Sequence, residues 1–201
     1  MTTPTLTPAR PARPATPTEH TAVEAADALF TEHGIVPVAM EDVARRAGVS
    51  LDELVAVYPT RHDLVVAVLQ RWHGAWSAAL DRIAAESDDP RDEVLGVFGY
   101  LEQCFAEDDW RGCAFINHHA ELGRQDPAIA ELSREHFRQV EQHLTQVCSR
   151  AGLPAHVAQA ILLLVEGARV DSAVQRSAQP ARTARLAAAM LMSVYEADRS
   201  A

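Results

Sequence analysis

The sequence predicts an all-α protein of about nine helices: an N-terminal helix-turn-helix domain of three helices, then a C-terminal helical bundle. Three observations predict it. No stretch alternates apolar and polar residues at the period of a strand. Gly, Pro and Asp-Pro breakers divide the chain into segments of helix length. The composition, 48% apolar but only 5% aromatic and rich in alanine, suits helices.

Residues 1–18 carry five of the eleven prolines and almost no large apolar side chain, which describes a disordered, polyproline-like arm. Arg10 and Arg13 in that arm could enter a DNA minor groove; the plainer reading is a solvated tail. The first helix is expected from about Glu19 to His33, ending at Gly34. The segment Met40–Leu64, MEDVARRAGVSLDELVAVYPTRHDL, holds the most information. Its second helix buries Met40, Val43, Ala44 and Ala47 at i, i+3, i+4, i+7. Gly48 closes that helix where a left-handed residue costs no Cβ clash, Val49 plugs the corner, and Ser50 caps the third helix. The inward face of the third helix is Leu51, Leu54, Val55 and Tyr58. Pro59 ends it and Thr60 caps the next. Helix, short turn with Gly, helix is the unit whose second helix enters the DNA major groove.

The remaining helices follow from breakers. A long fourth helix runs from about Arg61 to Ala85, until Asp88-Asp89-Pro90. The fifth covers about Asp92 to Glu107 and the sixth Gly112 to Leu122. Asp126-Pro127 starts the seventh, whose face is Ile129, Leu132, His136, Phe137, Val140, Leu144, Val147 and Ala151. The eighth spans Pro154 to Ser177 and the ninth Pro180 to Asp198. In the eighth, Ile161–Val165 is apolar around the whole circumference and must be buried on every side. Core on one face and a second subunit on the other is the simplest solution. The residues expected at that dimer interface are Leu162, Leu163, Val165, Met190, Leu191 and Val194.

The stretches LFTEHGIVPVAMEDVARRAGVS and YPTRHDLVVAVL resemble the N-terminal domain of the TetR family of transcriptional regulators. The likeness covers roughly residues 19–70 and continues more weakly through RGCAFINHHAELGRQDPAIAELSREH. It implies an all-α homodimer on double-stranded operator DNA, with repression relieved by a small-molecule effector. The implied organisation is an arm over 1–18, a DNA-binding domain over 19–66, and a ligand-binding and dimerisation domain over 67–201. The DNA-facing candidates are Arg45, Arg46, Ser50, Leu51, Asp52, Glu53, Tyr58, Arg61 and His62.

The chain departs from the family where it should touch DNA. Family members usually run Ser-Lys-Gly-Thr-Leu-Tyr-His-Tyr-Phe into the recognition helix; here Ser50 is followed by Leu51, Asp52, Glu53, Leu54, Val55, Ala56, Val57 and Tyr58. The usual Thr before the second helix is Ala39. Ser50-x-x-Glu53 forms a capping box, and acids there suit the helix dipole by about 0.3–1 kcal/mol each. They also face the phosphates on which DNA affinity rests. Residues 1–65 hold five arginines against nine acids, and the whole chain holds 18 basic and 28 acidic residues, net −10. All 18 basic residues are Arg, which reads as coding bias. A second reading follows: a TetR-like protein with weakened or lost DNA binding, serving as a ligand sensor or protein-interaction module.

Aromatic and polar residues gather in the middle of the chain. Trp72, Trp76, Phe98, Tyr100, Cys104, Phe105, Trp110, Phe115, Asn117, His118, Glu121, His136 and Phe137 are candidates to line an effector pocket, since such sites are apolar with a few placed polar groups. Aromatics at helical spacing are also ordinary core. The histidines have no zinc-like spacing, so no metal is expected. Cys104 and Cys113 could form a redox pair; inert reduced thiols are the simpler expectation. There is no Gly-rich phosphate loop, G-x-S-x-G or H-E-x-x-H, so neither an enzyme nor a cofactor is expected; a helical enzyme using Glu121 is the distant alternative. No run of 18 apolar residues and no signal peptide occurs, so a cytoplasmic protein away from the membrane is expected.

Overall fold

The computed structural model describes residues 15–197, and among them every regular element is a helix. The order is α1 (Pro17–His33), α2 (Met40–Ala47), α3 (Leu51–Val57), α4 (Arg61–Glu86), α5 (Pro90–Phe105), α6 (Ala114–Leu122), α7 (Pro127–Arg150), α8 (Ala155–Gln175) and α9 (Gln179–Ala197). None of these is long and apolar enough to cross a membrane. Arg10 and Arg13 lie outside the described residues.

Helix starts differ from expectation where caps act. Helix α1 begins at Pro17 rather than Glu19, so residues 17 and 18 belong to a helix and not to the arm. Thr16 is the cap: its Oγ1 accepts from the Glu19 N–H, while the Glu19 carboxylate accepts from the Thr16 N–H. Pro17 sits at the first helical position, where its fixed φ is favourable and its missing N–H costs nothing. Asp89 likewise caps α5, which starts at Pro90 and not Asp92. Helix α6 starts at Ala114, because Gly112 takes φ +100° outside any helix.

The helices form two units. The first comprises α1, α2, α3, α4 through Ala75, and then α6 with α7 through Glu135. Its interior holds Ala22, Ala26, Phe30, Val43, Leu54, Leu64, Val68, Phe115, Ile129 and Leu132, all buried. The second comprises the rest of α4, then α5, the rest of α7, α8 and α9. Trp76, Val94, Phe98, Leu101, Val140, Leu144, Ile161, Val165, Ala181 and Ala188 belong to one apolar cluster there. Small residues let α9 lie close on α5 and α8, and Gly96 is needed because a Cβ at that position would meet Ile83 at 2.6 Å.

The apolar circumference of α8 is not buried on every side within the chain. Ile161 and Val165 are fully buried, whereas Leu163 is 73% exposed, and Val170 and Val174 are exposed as well. On α9, Leu186, Met190 and Val194 are exposed at intervals of four. Of the residues expected to meet a partner, Leu163, Met190 and Val194 are exposed and Leu162 and Leu191 half-buried. Val165 is the exception, since its side chain is buried in the core of the second unit.

Candidate nucleic-acid interface

Helices α2 and α3 owe their angle to the turn between them. Gly48 adopts the left-handed conformation at φ +71° and ψ +26°, and its N–H returns to Ala44 and Arg45 carbonyls. A side chain at this position would be strained. Ser50 and Glu53 close the capping box: the Ser50 Oγ accepts from the Glu53 N–H at 3.2 Å, and a Glu53 carboxylate oxygen takes the Ser50 N–H at 2.8 Å and hydroxyl at 2.7 Å. Those bonds from Ser50 hold the Glu53 carboxyl below its ordinary range. Helix α2 has only half a box, because Ala39 has no hydroxyl; Asp42 accepts the Ala39 N–H at 3.2 Å. Leu54 on α3 is completely buried and anchors it to the first unit.

What remains outward on α3 is Asp52, Glu53, Val55 and Ala56, all exposed, with Leu51 and Tyr58 half-buried. Val55, expected on the inward face, is 40% exposed, because α3 stops at Val57 and only Leu54 turns fully inward. Burial raises the Tyr58 phenol.

The basic candidates are unequally available. Arg45 is largely exposed and, among the described residues, pairs only with Asp42 one turn back, at 3.0 Å. Arg46 pairs with Glu32 of α1 at 3.2 Å. Leu29, His33, Pro37, Val38, Asp42 and both arginines line an open depression of about 500 Å³ on this side. Arg61 points inward: one guanidinium nitrogen donates to the carbonyls of Val36 (2.7 Å), Val38 (3.3 Å) and Ile35 (3.4 Å). The His62 Nδ1 lies 2.6 Å from an Asp126 carboxylate oxygen. Both residues therefore hold the first unit together before any DNA contact.

The same α1–α2 connection is gripped from the other side. The two Glu121 carboxylate oxygens accept from the Ile35 N–H at 2.8 and 2.9 Å, and one also takes the Val36 N–H at 2.7 Å. Glu121 thus serves as an anchor in the first unit, 86 residues away in sequence. Beside it His118 is buried edge-on to Phe30, with ring centroids 6.1 Å apart. Burial pushes its imidazole down to about 4. Phe115 is core, Asn117 is exposed, and the Trp72 indole N–H donates to buried Asp27 at 2.9 Å.

The other effector candidates belong to the second unit. Phe98 and Phe105 are core, and Trp110 lies 4.8 Å from Phe105 with its N–H on Ser172 at 2.9 Å. Trp76 meets Tyr100 at 5.6 Å and His136 at 6.4 Å between ring centroids, and Phe137 stacks edge-on to His136. Two residues that carried no expectation from the sequence complete this group. The Arg169 guanidinium, almost wholly buried, lies 4.4 Å above the Trp76 ring and pairs with Glu166 at 2.9 Å. The signal was present as an i, i+3 acid–base pair inside an otherwise apolar helix. The Trp76 indole N–H and one Glu166 oxygen are buried with no hydrogen-bond partner among the described residues. Burial raises both the Glu166 carboxyl and the Cys104 thiol, which therefore stays protonated. Cys113 is half-buried. Among the described residues no three His, Cys, Asp or Glu side chains gather as a metal ion would require.

Residues 22–68 match the model of the bacterial regulatory proteins of the tetR family. The HTH-type transcriptional repressor ComR of Escherichia coli is 26% identical over 141 residues, 67% of this chain and 67% of ComR. A TetR-family transcriptional regulator from Streptomyces coelicolor has the same fold, with TM-score 0.80 at 18% identity over 88% of this chain and 95% of that one. A TetR regulator from Legionella pneumophila gives 0.76 at 17% identity, over 89% and 98%.

Proposed function

We propose that this chain, whose residues 22–68 match the tetR family of regulatory proteins, is a TetR-type repressor that binds a palindromic operator as a homodimer and leaves it on binding a small molecule. The observation that carries this reading is the intact α2–Gly48–α3 frame, closed by its left-handed glycine and capping box and anchored by Leu54. Repression is also the activity named for ComR. Dimerisation is supported by the exposed apolar stripe of Leu163, Val170 and Val174 on α8 beside Leu186, Met190 and Val194 on α9. Exposed apolar residues gathered on two helices suit an association surface. A two-fold dimer would set two α3 helices roughly one DNA turn apart, about 34–36 Å. Effector binding is supported by the unpartnered Trp76 N–H and Glu166 oxygen beside Arg169, polar groups that an effector would satisfy. We place the protein in the cytoplasm and assign it no reaction.

A second reading has its own support. Of three candidate arginines, Arg61 is committed to backbone carbonyls and Arg46 to Glu32, while Asp52 and Glu53 face outward. A TetR-like sensor with little DNA affinity would look the same. Selection of bound duplexes from a random library by the full-length protein separates the two. Recovery of a palindrome supports the repressor; an unenriched library refutes it and leaves the sensor.

A further inference from the structure

We propose that the outward face of α3 reads pyrimidine edges: the Asp52 carboxylate accepts from the N4 amino group of a cytosine, while Val55 and Ala56 pack on the C5-methyl group of an adjacent thymine. The inference rests on the operator-binding reading above and names the bases that the helix would select.

The outward stripe of α3 is short. Asp52, Val55 and Ala56 stand at i, i+3 and i+4, one face of the helix, and all three are exposed. Their neighbours are already engaged. Glu53 holds the Ser50 N–H and hydroxyl, Ser50 caps the Glu53 N–H, and Leu54 is buried. The Asp52 carboxylate, by contrast, makes no hydrogen bond or ion pair among the described residues.

The residue types restrict the readout. Guanine is read by Arg or Lys and adenine by Asn or Gln, and residues 50–58 contain none of these four. A carboxylate can only accept. Guanine offers it two acceptors, N7 and O6, and adenine sets the N7 acceptor beside its amino group, so both repel it. Cytosine alone presents an amino donor and no acceptor on its own edge. Val55 and Ala56 can do no more than exclude water, and the thymine methyl is the apolar group of the major groove. Positions three apart are offset by about 4.5 Å along a helix, close enough to the spacing of successive base pairs, about 3.4 Å, for both contacts to fall on neighbours.

The test uses the full-length protein in the random-duplex selection, repeated with Asp52→Asn, followed by binding titrations on the recovered site. A half-site containing cytosine beside thymine is expected. Asp52→Asn should exchange that cytosine for adenine, the base Asn pairs with, and lose about tenfold in affinity on the original site. Replacing the thymine by uracil, which removes only the methyl group, should weaken wild-type binding about fourfold. Val55→Ala should bind thymine and uracil more nearly alike. Because uracil changes the DNA and not the protein, folding cannot confuse the result. A recovered palindrome without the cytosine–thymine step, an unaltered preference in Asp52→Asn, or equal binding of thymine and uracil would each overturn the base assignment while operator binding stood. No enrichment at all would remove both.

Discussion

Glu121 supplies the sharpest test of how the first unit is held. Its carboxylate receives the backbone N–H groups of Ile35 and Val36, at 2.7–2.9 Å, just after Gly34. Gly34 itself has φ +79°, and a Cβ there would meet a Glu121 oxygen at 3.3 Å. Hydrogen bonds to a charged acceptor contribute about 1.5–3 kcal/mol each. Ile35 is buried and Val36 exposed, so the Ile35 bond should count nearly in full and the Val36 bond much less. Glu121→Ala should therefore cost about 2–4 kcal/mol. For a chain of this length each kcal/mol lowers Tm by about 2–4 °C, giving a fall of roughly 4–16 °C. Glu121→Gln keeps one accepting oxygen and turns an amide donor toward the Ile35 N–H, so about half that loss is expected. Thermal unfolding by circular dichroism measures the loss, and hydrogen exchange at the Ile35 and Val36 amides locates it. Unchanged protection at those two amides, with Tm within about 1 °C of wild type, would refute the anchor.

Three further outcomes are expected. Burial holds the His118 imidazole at about 4 in the folded protein against an ordinary 6.5, so below pH 6.5 the unfolded chain binds the extra proton. Stability present above pH 6.5 should be lost as pH falls toward 4, by up to about 3 kcal/mol; urea unfolding of wild type and His118→Gln across that range should give a smaller pH slope for the variant, and equal slopes would contradict this. Leu163→Glu, on an exposed α8 position, should leave helical content intact yet give monomers in sedimentation equilibrium, and an unchanged dimer would place the partner surface elsewhere. Arg45→Ala should flatten the salt dependence of operator binding by about one unit of log–log slope for each phosphate that Arg45 neutralises, measured by fluorescence anisotropy, whereas an unaltered slope would take Arg45 out of the interface.

The parts of the fold legible in the sequence are those fixed by neighbours in the chain. The Gly48 turn, the Ser50–Glu53 box and the breaks near Pro59, Pro90 and Pro127 are local, so residue order exposes them. The Thr16–Glu19 box is equally local, and the Thr-x-x-Glu spacing could have moved the start of α1 back to Pro17. Arg61 and Glu121 belong to a different class. An exposed-looking arginine after a turn and a glutamate at a helix end carry no sign that both close on residues 35–38. Their partners are backbone atoms far along the chain, and backbone atoms leave no signature in residue identity. Val165 and Leu163 differ for a related reason. An all-apolar helix announces that every face can be covered, but which face is covered by its own protomer depends on where α5 and α9 lie.

The first unit is discontinuous, and that shapes how it is made. Its family-matching segment, residues 22–68, leaves the ribosome before α6 has been synthesised, yet Glu121 must reach back 86 residues to Ile35. At about 5–20 residues per second, a nascent α1–α2 connection waits roughly 4–17 s for its acceptor. During that interval the nascent helix-turn-helix lacks the carboxylate that will order the turn before it. A chimaera joined at residue 70 would make the wait permanent. Exchange of reading heads within this scaffold should respect the seam at residues 114–135 as much as the one in α4.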